Sequence, residues 1–533
     1  MHIHHHLAFI VAAASLALAA CPEDAATTPA ADVSTPDATG DAAADATADA
    51  APADGEADAL PDAAADGATD GSGPDATVDA VNDGTMTDTM VDADTPAPDV
   101  PAPTCGAIVT FEDGKTPTAI VHVATDGADT PACGPEATPC ATIEHAAGLA
   151  QAGTSIRIHA GTYGGGAYIA DLQGTAENPI WLGGAPGEAP PVFDGGGQAM
   201  QLVRARYLIV HDLEVTGSTN NGINADDGAD YDNPEAARHL VFRNLYIHDV
   251  GSGGNQDCLK LSGIDDHFVL DSVFERCGGG GSGSGIDHVG CHQGLIARNT
   301  FEDMGNSGSG VQAKGGCVDI EIRNNLFLDA GQRGVNMGGS TGFEFFRPSL
   351  SETAPNTEAS DIRVLGNVFV GGVAPFAYVG CVDCVAANNT IIYPENWVTR
   401  ILQETTSTAT YDFLPASNGY FVNNLVFFDR SQISTWVNVG GNTAADTFVF
   451  SNNLWYAVDN PTNSDPGSGL PTAEADTIAG IDPLLVNPEN GDYSLQPGSP
   501  AEGAGVGGSW VPAADMTGAC YGAPPAIGAY SAN

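Results

Sequence analysis

The sequence predicts an all-β solenoid, and three observations carry that expectation. First, FRNLYIHDVG (242 to 251), LDSVFERCG (270 to 278), ARNTFEDMG (297 to 305) and RNNLFLDAG (323 to 331) are near-copies. Their closing glycines, Gly251, Gly278, Gly305 and Gly331, follow at spacings of 27, 27 and 26 residues, and a constant period marks a repeat architecture. Second, apolar residues alternate inside each copy over short β-branched or aromatic runs that end in glycine, so the unit is strand and turn without a helix. Third, the series continues as LGNVFVGG (365 to 372), ANNTIIYP (387 to 394), VNNLVFFD (422 to 429) and SNNLWYAV (451 to 458), with YLIVHDLEVTG (207 to 217) upstream. Each unit is then one coil, paired with its neighbours at about 4.8 Å. Insertions such as Phe343 to Ser360 interrupt the period and are expected as loops on one face.

An asparagine recurs in these copies, at 244, 299, 325, 367, 389, 424 and 453. A stacked amide column satisfying the backbone groups of the turns accounts for it without any chemistry.

The N-terminal part is of another kind. Residues 7 to 20 (LAFIVAAASLALAA) form an apolar run too short to span a bilayer, so residues 1 to 20 are expected to be a signal segment. Leu18-Ala19-Ala20-Cys21 resembles the bacterial lipobox, which implies cleavage before Cys21 and a lipid on its thiol. In place of the usual lysines or arginines, the segment ahead of the apolar run carries His2, His4, His5 and His6. From residue 21 to 104 the chain is nearly all Ala, Asp, Thr, Pro and Gly, with 20 acidic and no basic residues. Such a composition does not bury enough apolar surface to offset ordering, and it reads as an acidic tether. The rest of the chain still holds 48 acids against 16 bases, which argues against nucleic acid as a partner. The expected location is a bacterial outer membrane or cell surface, with the membrane contacted only through the anchor and the chain monomeric.

Ten cysteines remain after Cys21, and an even number in an exported chain suggests disulfides. Cys291 and Cys317 are 26 residues apart, one coil above the other, and so within disulfide range. Cys133 with Cys140 would close a short loop. Cys381-Val-Asp-Cys384 has no second CxxC to complete a zinc site, so a disulfide is the simpler reading.

The solenoid is expected over residues 105 to 480, with a closing segment over 481 to 533. Thr142 to Ala150 reads as a short amphipathic helix closed at Gly153. The string TPCATIEHAAGLAQAGTSIRIHAGTY resembles the opening of secreted right-handed parallel β-helix proteins of the pectin-lyase-like superfamily, in which such a helix caps the core. IDPLLVNPENGDYSLQPGSPAEGAG (481 to 505) is similar to the closing segment of bacterial surface β-helix proteins. The resemblance implies a single-stranded right-handed parallel β-helix and an extracellular polysaccharide as partner. It specifies fold far better than activity.

Each coil carries a second strand after its glycine turn: GINAD (222 to 226), CLKLS (258 to 262), GIDHV (285 to 289), GVQAK (310 to 314) and GVNMG (334 to 338). Strand alternation turns Ile223, Leu259, Ile286, Val311 and Val335 inward. Outward, one column reads Asn224, Lys260, Asp287, Gln312 and Asn336, and the next Asp226, Ser262, Val289, Lys314 and Gly338. Two of the three lysines of the chain, Lys260 and Lys314, therefore share one polar face suited to an extended polymer. Asp257, just ahead of the strand, belongs to the same substrate face.

The loop Asp226-Asp227-Gly-Ala-Asp230-Tyr-Asp232 groups hard oxygens on a glycine turn, as Ca2+ requires. DDGAD resembles the calcium motif of the family-nine polysaccharide lyases, and CLKLSG the strand with their catalytic lysine. The resemblance implies Ca2+ on Asp226, Asp227 and Asp230, with Asp232 beside them, Lys260 as base and β-elimination of a uronate polymer. Arg333 would meet a second sugar acid, and Lys314 is the alternative amine. Calcium would neutralise the uronate carboxylate while the amine takes the C5 proton.

Other readings stand beside this one. Asp287, stacked on Lys260, would explain both as a cross-strand ion pair, and the carboxylate loop as a solvated or structural feature. Asn255-Gln256-Asp257-Cys258 resembles the NQDDC strand of polygalacturonase-type hydrolases, but one aspartate is missing and neither GHG nor RIK occurs. A surface protein that binds glycan, or displays a rigid rod, needs no catalysis.

Overall fold

The computed structural model describes residues 105–531. The signal segment, Cys21 and the 21 to 104 linker lie outside the described residues. Among the described residues no helix is long and apolar enough to cross a membrane.

The described chain is a right-handed parallel β-helix, as the period predicts. Each coil contributes up to three strands, and each strand pairs in parallel with its counterpart one coil on. The first sheet runs from Ala119–Val123 to Val449–Ser451, and the second from Thr162–Gly164 to Ile478–Ala479. The two are joined where the long strands Arg206–Thr216 and Arg238–Val250 pass through both. The third sheet has ten strands, from Ala167–Ala170 to Val437–Val439. At the bend between the first two sheets, Asp212, Asn244, Asp271, Arg298 and Asn324 take positive φ near 50–60°. Asp and Asn tolerate this left-handed region best, which is why they recur at the corner.

Inside that bend the amide column is continuous. Asn299 donates its backbone N–H to Asn325 Oδ1 at 2.9 Å, and its Nδ2 to Val269 O and to the same Oδ1 at 2.9 and 3.0 Å. Asn325, Asn367, Asn389 and Asn424 repeat the pattern, each on the next coil's asparagine. Ser272 begins the column and Glu474 ends it, accepting from Asn453 N and Nδ2 and from Trp455 Nε1. Asn244 does not belong to it: it sits at the exposed corner, and its Nδ2 reaches Asp212. One position inward of the column, Phe274, Phe301, Phe327 and Phe369 stack at centroid spacings of 5.2, 4.8 and 4.5 Å. Alternation from the buried amide to the buried ring is what the sequence string Asn-x-Phe encodes.

The open core is closed at the N-terminal end by the helix Ile143–Leu149, the one α-helix among the described residues. Thr142 caps it by accepting from His145 N, and Ile143 and Ala146 are buried beneath it. At the other end the chain does more than close the last coil. From residue 481 it folds back along the flank, where Asn423, Asn388 and Asn324 donate to Val506, Ala526 and Ala514 carbonyls. Leu485, Tyr493 and Leu495 cover the outer side of Val368, Ile392 and Leu425.

Four disulfides are present: Cys105–Cys520, Cys133–Cys140, Cys258–Cys277 and Cys381–Cys384. The first ties the start of the described chain to the returning segment. Cys291 and Cys317 are free and buried, contrary to the pairing their spacing suggests. They do lie one coil apart, but Cys317 Sγ sits 3.3 Å from the backbone nitrogen of Cys291, while the Cys291 thiol turns to Leu261 O. Spacing fixes the coil; it does not aim the sulfurs.

The amide column sets an expectation for stability. Asn325→Ala would strip Asn299 N and Nδ2 of their acceptor and take the side-chain donor from Ile296 O, so unfolding stability should fall by about 2–3 kcal/mol. Asn244→Ala, at the exposed corner, should change it by less than about 0.5 kcal/mol. Urea denaturation of the two variants checks the contrast.

Candidate functional site

The ten-stranded sheet places the outward column in register. Asn224 pairs with Lys260, Lys260 with Asp287, Asp287 with Gln312, and Gln312 with Asn336. The second column holds as Asp226, Ser262, Val289 and Lys314. It then breaks, because a shift between Gln312 and Ala313 brings Gly338 opposite Ala313. Alternation within the five strings does not disclose how far the first column extends. Tyr168 and Gln201 continue it at one end, and Ala377, Arg400 and Asn438 at the other. The AYIA and MQLV strands carry the same alternation, so the signal is present but lacks the repeated glycine frame.

Four titratable groups meet at its centre. Lys260 Nζ donates to Asp287 Oδ2 at 2.8 Å and to Asp257 Oδ2 at 3.4 Å. Lys314 Nζ lies 3.8 Å from Asp287 Oδ1. Both aspartates are fully buried, whereas the Lys260 side chain retains 22% exposure and forms the surface of the cluster. Asp257 also accepts from Ser284 N at 2.8 Å, which fixes its carboxyl under the strand.

The shared environment drives the two acids apart. Burial, and then the neighbouring charge of Asp287, push Asp257 up to about 6 against the pull of the lysines. Burial would raise Asp287 too, but Lys260 and Lys314 outweigh it and bring Asp287 down to about 2. Burial alone would lower Lys260; the charges of Asp287 and Asp257 and its hydrogen bonds to both raise it above the ordinary amine value. The pair titrates as a unit, Asp287 releasing its proton well before Asp257.

Polar partners extend from this centre along the face. Gln312 Nε2 donates to Ser284 Oγ at 2.6 Å, and Asn336 Nδ2 to Gln312 Oε1 at 3.3 Å. Arg333 spans Asn336 at 3.2 Å and Glu404 at 2.6 Å, the latter a partner 71 positions away that no local string announces. On the other side Gln201 donates to Asp226 Oδ2 at 2.6 Å and accepts from Asn224 at 2.8 Å.

The carboxylate loop is not assembled as a cation site. Asp227 is buried and gripped by Arg347, with Nε at 2.6 Å from one oxygen and Nη2 at 3.1 Å from the other. Asp226 turns one oxygen to Gly228 N and the other to Gln201. Asp230 accepts from Asn233, and Asp232 from Ser349 N. Among the described residues the only cluster of three ligand atoms is Cys133, Cys140 and His145, whose sulfurs are already joined to each other. The four aspartates predicted to hold Ca2+ therefore do not fit it.

The reason is the insertion after Arg333–Gly338, which returns across three coils. Arg347 sets its carbonyl where a side chain at Gly316 would point, its methylenes over Gly290 and its Nε over Gly263, ending at Asp227. A Cβ at Gly290 would stand 2.4 Å from that of Arg347, so the glycine column is the channel for this one side chain. The guanidinium also lies 4.3 Å over the Tyr231 ring.

Comparison with family models and with curated proteins gives no match. Among solved structures, the pectate lyase Pel9A is similar at 16% identity over 79% of this chain and 98% of its own, with a TM-score of 0.47. A rhamnogalacturonan lyase follows at 16% identity, 64% and 87% coverage and 0.41. An alginate lyase from Paenibacillus sp. str. FPU-7 is similar at 19%, 56% and 95%, and 0.35. Likenesses this distant carry no argument about what the chain does; the parallel β-helix stands on its own three sheets.

The acid pair yields a pH dependence. Native Asp257 keeps its proton up to about pH 6, while an unfolded aspartate releases it near 3.9. Its stabilising contribution is thus full below about pH 4 and is lost as pH rises through about 6. Asp257→Asn should remove this loss, about 3 kcal/mol, from the unfolding free energy measured in urea between those limits. The loop carries an expectation of its own. Ca2+ or a chelator should leave the melting temperature unchanged, whereas Arg347→Met, which strands buried Asp227, should cost about 3–5 kcal/mol.

Proposed function

We propose that the ten-stranded sheet binds an extended acidic polysaccharide, with sugar carboxylates meeting the ammonium groups of Lys260 and Lys314. One observation carries this reading. The strands of this sheet hold four bases, Lys260, Lys314, Arg333 and Arg400, against Asp226 and Asp287, and Asp257 and Glu404 pair with Lys260 and Arg333 from just outside them, so the strip is close to neutral in a chain of net charge −52. A near-neutral strip on an acidic body repels a polyanion least there, and the exposed 22% of the Lys260 side chain offers it an ammonium. The amides of Asn224 and Gln201, part-exposed beside Lys260, suit sugar hydroxyls. The protein is exported and tethered through a lipid on Cys21, and the acidic linker holds the solenoid off the membrane.

A second reading, cleavage of the same polymer by β-elimination, is favoured by the contact between Lys260 and Asp257. A charged Lys260 takes no proton unless it gives one up, and Asp257 at about 6 is ionised at neutral pH and within reach. Lys260 would accept the C5 proton while passing its own to Asp257, the C4–O bond breaking and the leaving oxygen taking a proton from water. This route assigns Lys260 the role the sequence suggests and needs none of the loop carboxylates.

Affinity electrophoresis in polygalacturonate, alginate or glycosaminoglycan gels tests the proposal. The protein should be retarded by at least one acidic polymer, less so as salt rises, and Lys260→Ala with Lys314→Ala should weaken retention about tenfold. Retardation by neutral glycans alone would contradict it. Growth of the ultraviolet absorbance of an unsaturated uronate, lost in Asp257→Asn, would establish the second reading. Cys21→Ser should move the chain from the membrane to the soluble fraction.

A further inference from the structure

We infer that the buried imidazole pair of His267 and His288 is an acid latch: when the pair takes up a proton, the coils that carry Lys260 and Asp287 open and the binding face is lost. The loss of binding rests on the reading above, whereas the opening of the coils does not.

Both rings point into the apolar core. His267 alternates with core residue Val269 on the strand Asp265–Leu270, between Leu240 of the coil before and Gly294 of the coil after. His288 alternates with core residue Ile286 on Ser284–Val289, between Leu261 and Ala313. A Cβ at Gly294 would stand 2.4 Å from Cε1 and Nε2 of His267, so this ring leans over the next coil and fills the space a side chain there would take. It meets the His288 ring with centroids 5.1 Å apart, and both residues are fully buried. His288 Nδ1 donates to Gln312 O at 2.9 Å, which leaves Nε2 as a lone pair. Neither that nitrogen nor either ring nitrogen of His267 has a hydrogen-bond partner.

The charged groups around the pair are engaged elsewhere. His292 Nδ1 is held by Asp265 Oδ1 at 2.7 Å. Asp287 follows Ile286 but faces outward to Lys260 and Lys314. Arg347, passing over Gly290, is held by Asp227. At the corner beside the pair the thiols of Cys291 and Cys317 are buried, and the flanking strands offer Leu240 and Ile320. Burial, and then the neighbouring His288 and His292, hold His267 well below the ordinary histidine range. Burial brings His288 down to about 4 against the pull of its Gln312 bond and of Asp287. An unfolded histidine takes its proton at about 6.5, so the contribution of the neutral pair is full above about pH 7 and is lost as pH falls through about 6 toward about 4. Over that range each imidazole favours the open form by about tenfold per pH unit. His288 shares its strand with Asp287, and His267 shares its coil with Lys260, so opening of these strands separates the ion pairs that hold the lysine.

Hydrogen exchange on the full chain at about pH 5 and about pH 7.5, with intrinsic rates corrected for pH, tests the latch. Amides of Asp265–Leu270 and Ser284–Val289 should lose at least about tenfold in protection at the lower pH in wild type. His267→Phe keeps a ring and takes no proton, and its loss should be about tenfold smaller; His267→Leu, a smaller apolar replacement, should behave alike. Retardation in an acidic polymer gel should fall in acid for wild type and fall less for either variant. Without the latch, acid would strengthen retardation, because Asp257 gives up its charge beneath Lys260. Equal wild-type protection at the two pH values, equal losses in wild type and both variants, or wild-type retardation that strengthens in acid would overturn the latch. Protection lost in acid and spared in the variants, with no retardation by any acidic polymer at either pH, would support the latch and overturn the binding reading.

Discussion

Everything on the ten-stranded sheet depends on coil-to-coil registration, and the interaction that enforces it most strictly is the buried amide column from Asn299 to Asn453. Each asparagine accepts from a backbone N–H and donates to a backbone carbonyl of the coil before it, in a place no water reaches. A slip of one residue in any coil would leave several buried polar groups unpaired, at about 1–3 kcal/mol each. Hydrophobic stacking of the phenylalanines beside the column tolerates sliding far better. The amides therefore supply specificity and the rings supply most of the burial.

That division explains how a stack of coils with variable lengths keeps a straight functional face. The coil from Asn325 to Asn367 carries the insertion of residues 343–358, yet Asn325 meets Asn367 as closely as Asn299 meets Asn325. The extra chain is expelled at the turn after Arg333–Gly338, where it returns as a strap that ends in the Arg347–Asp227 ion pair. Lys260, Asp287 and Gln312 keep their alignment on one side of this turn while the strap occupies the other. The acid pair beneath Lys260 is a consequence of the same registration, because Asp257 and Asp287 converge only when successive coils are in step.

Much of this is legible in the sequence, for a physical reason: period and alternation are local properties, and in a solenoid they determine which residues are neighbours. The column Asn224, Lys260, Asp287, Gln312 and Asn336 can thus be read from five short strings. What is not legible depends on contacts between distant segments. Nothing near Asp227 announces Arg347, 120 positions away, although Gly263, Gly290 and Gly316, at spacings of 27 and 26, mark a channel for some long side chain. The calcium expectation fails at that point, since a motif specifies which ligands are present and not what else competes for them. Asn244 shares its string with the buried amides, but the long strand Arg238–Val250 bends at this residue and turns it outward. The thiols of Cys291 and Cys317 show the same limit at the scale of one side chain.

Registration gathers the lysines and amides into one face, and that face is proposed to take an acidic chain lengthwise. The decisive observation is a crystal structure with a bound oligouronate. A sugar carboxylate should then lie about 2.7–2.9 Å from Lys260 Nζ, with the oligomer running across successive strands of the ten-stranded sheet. An oligomer seated on either of the other two sheets, or lying along a single strand, would contradict it.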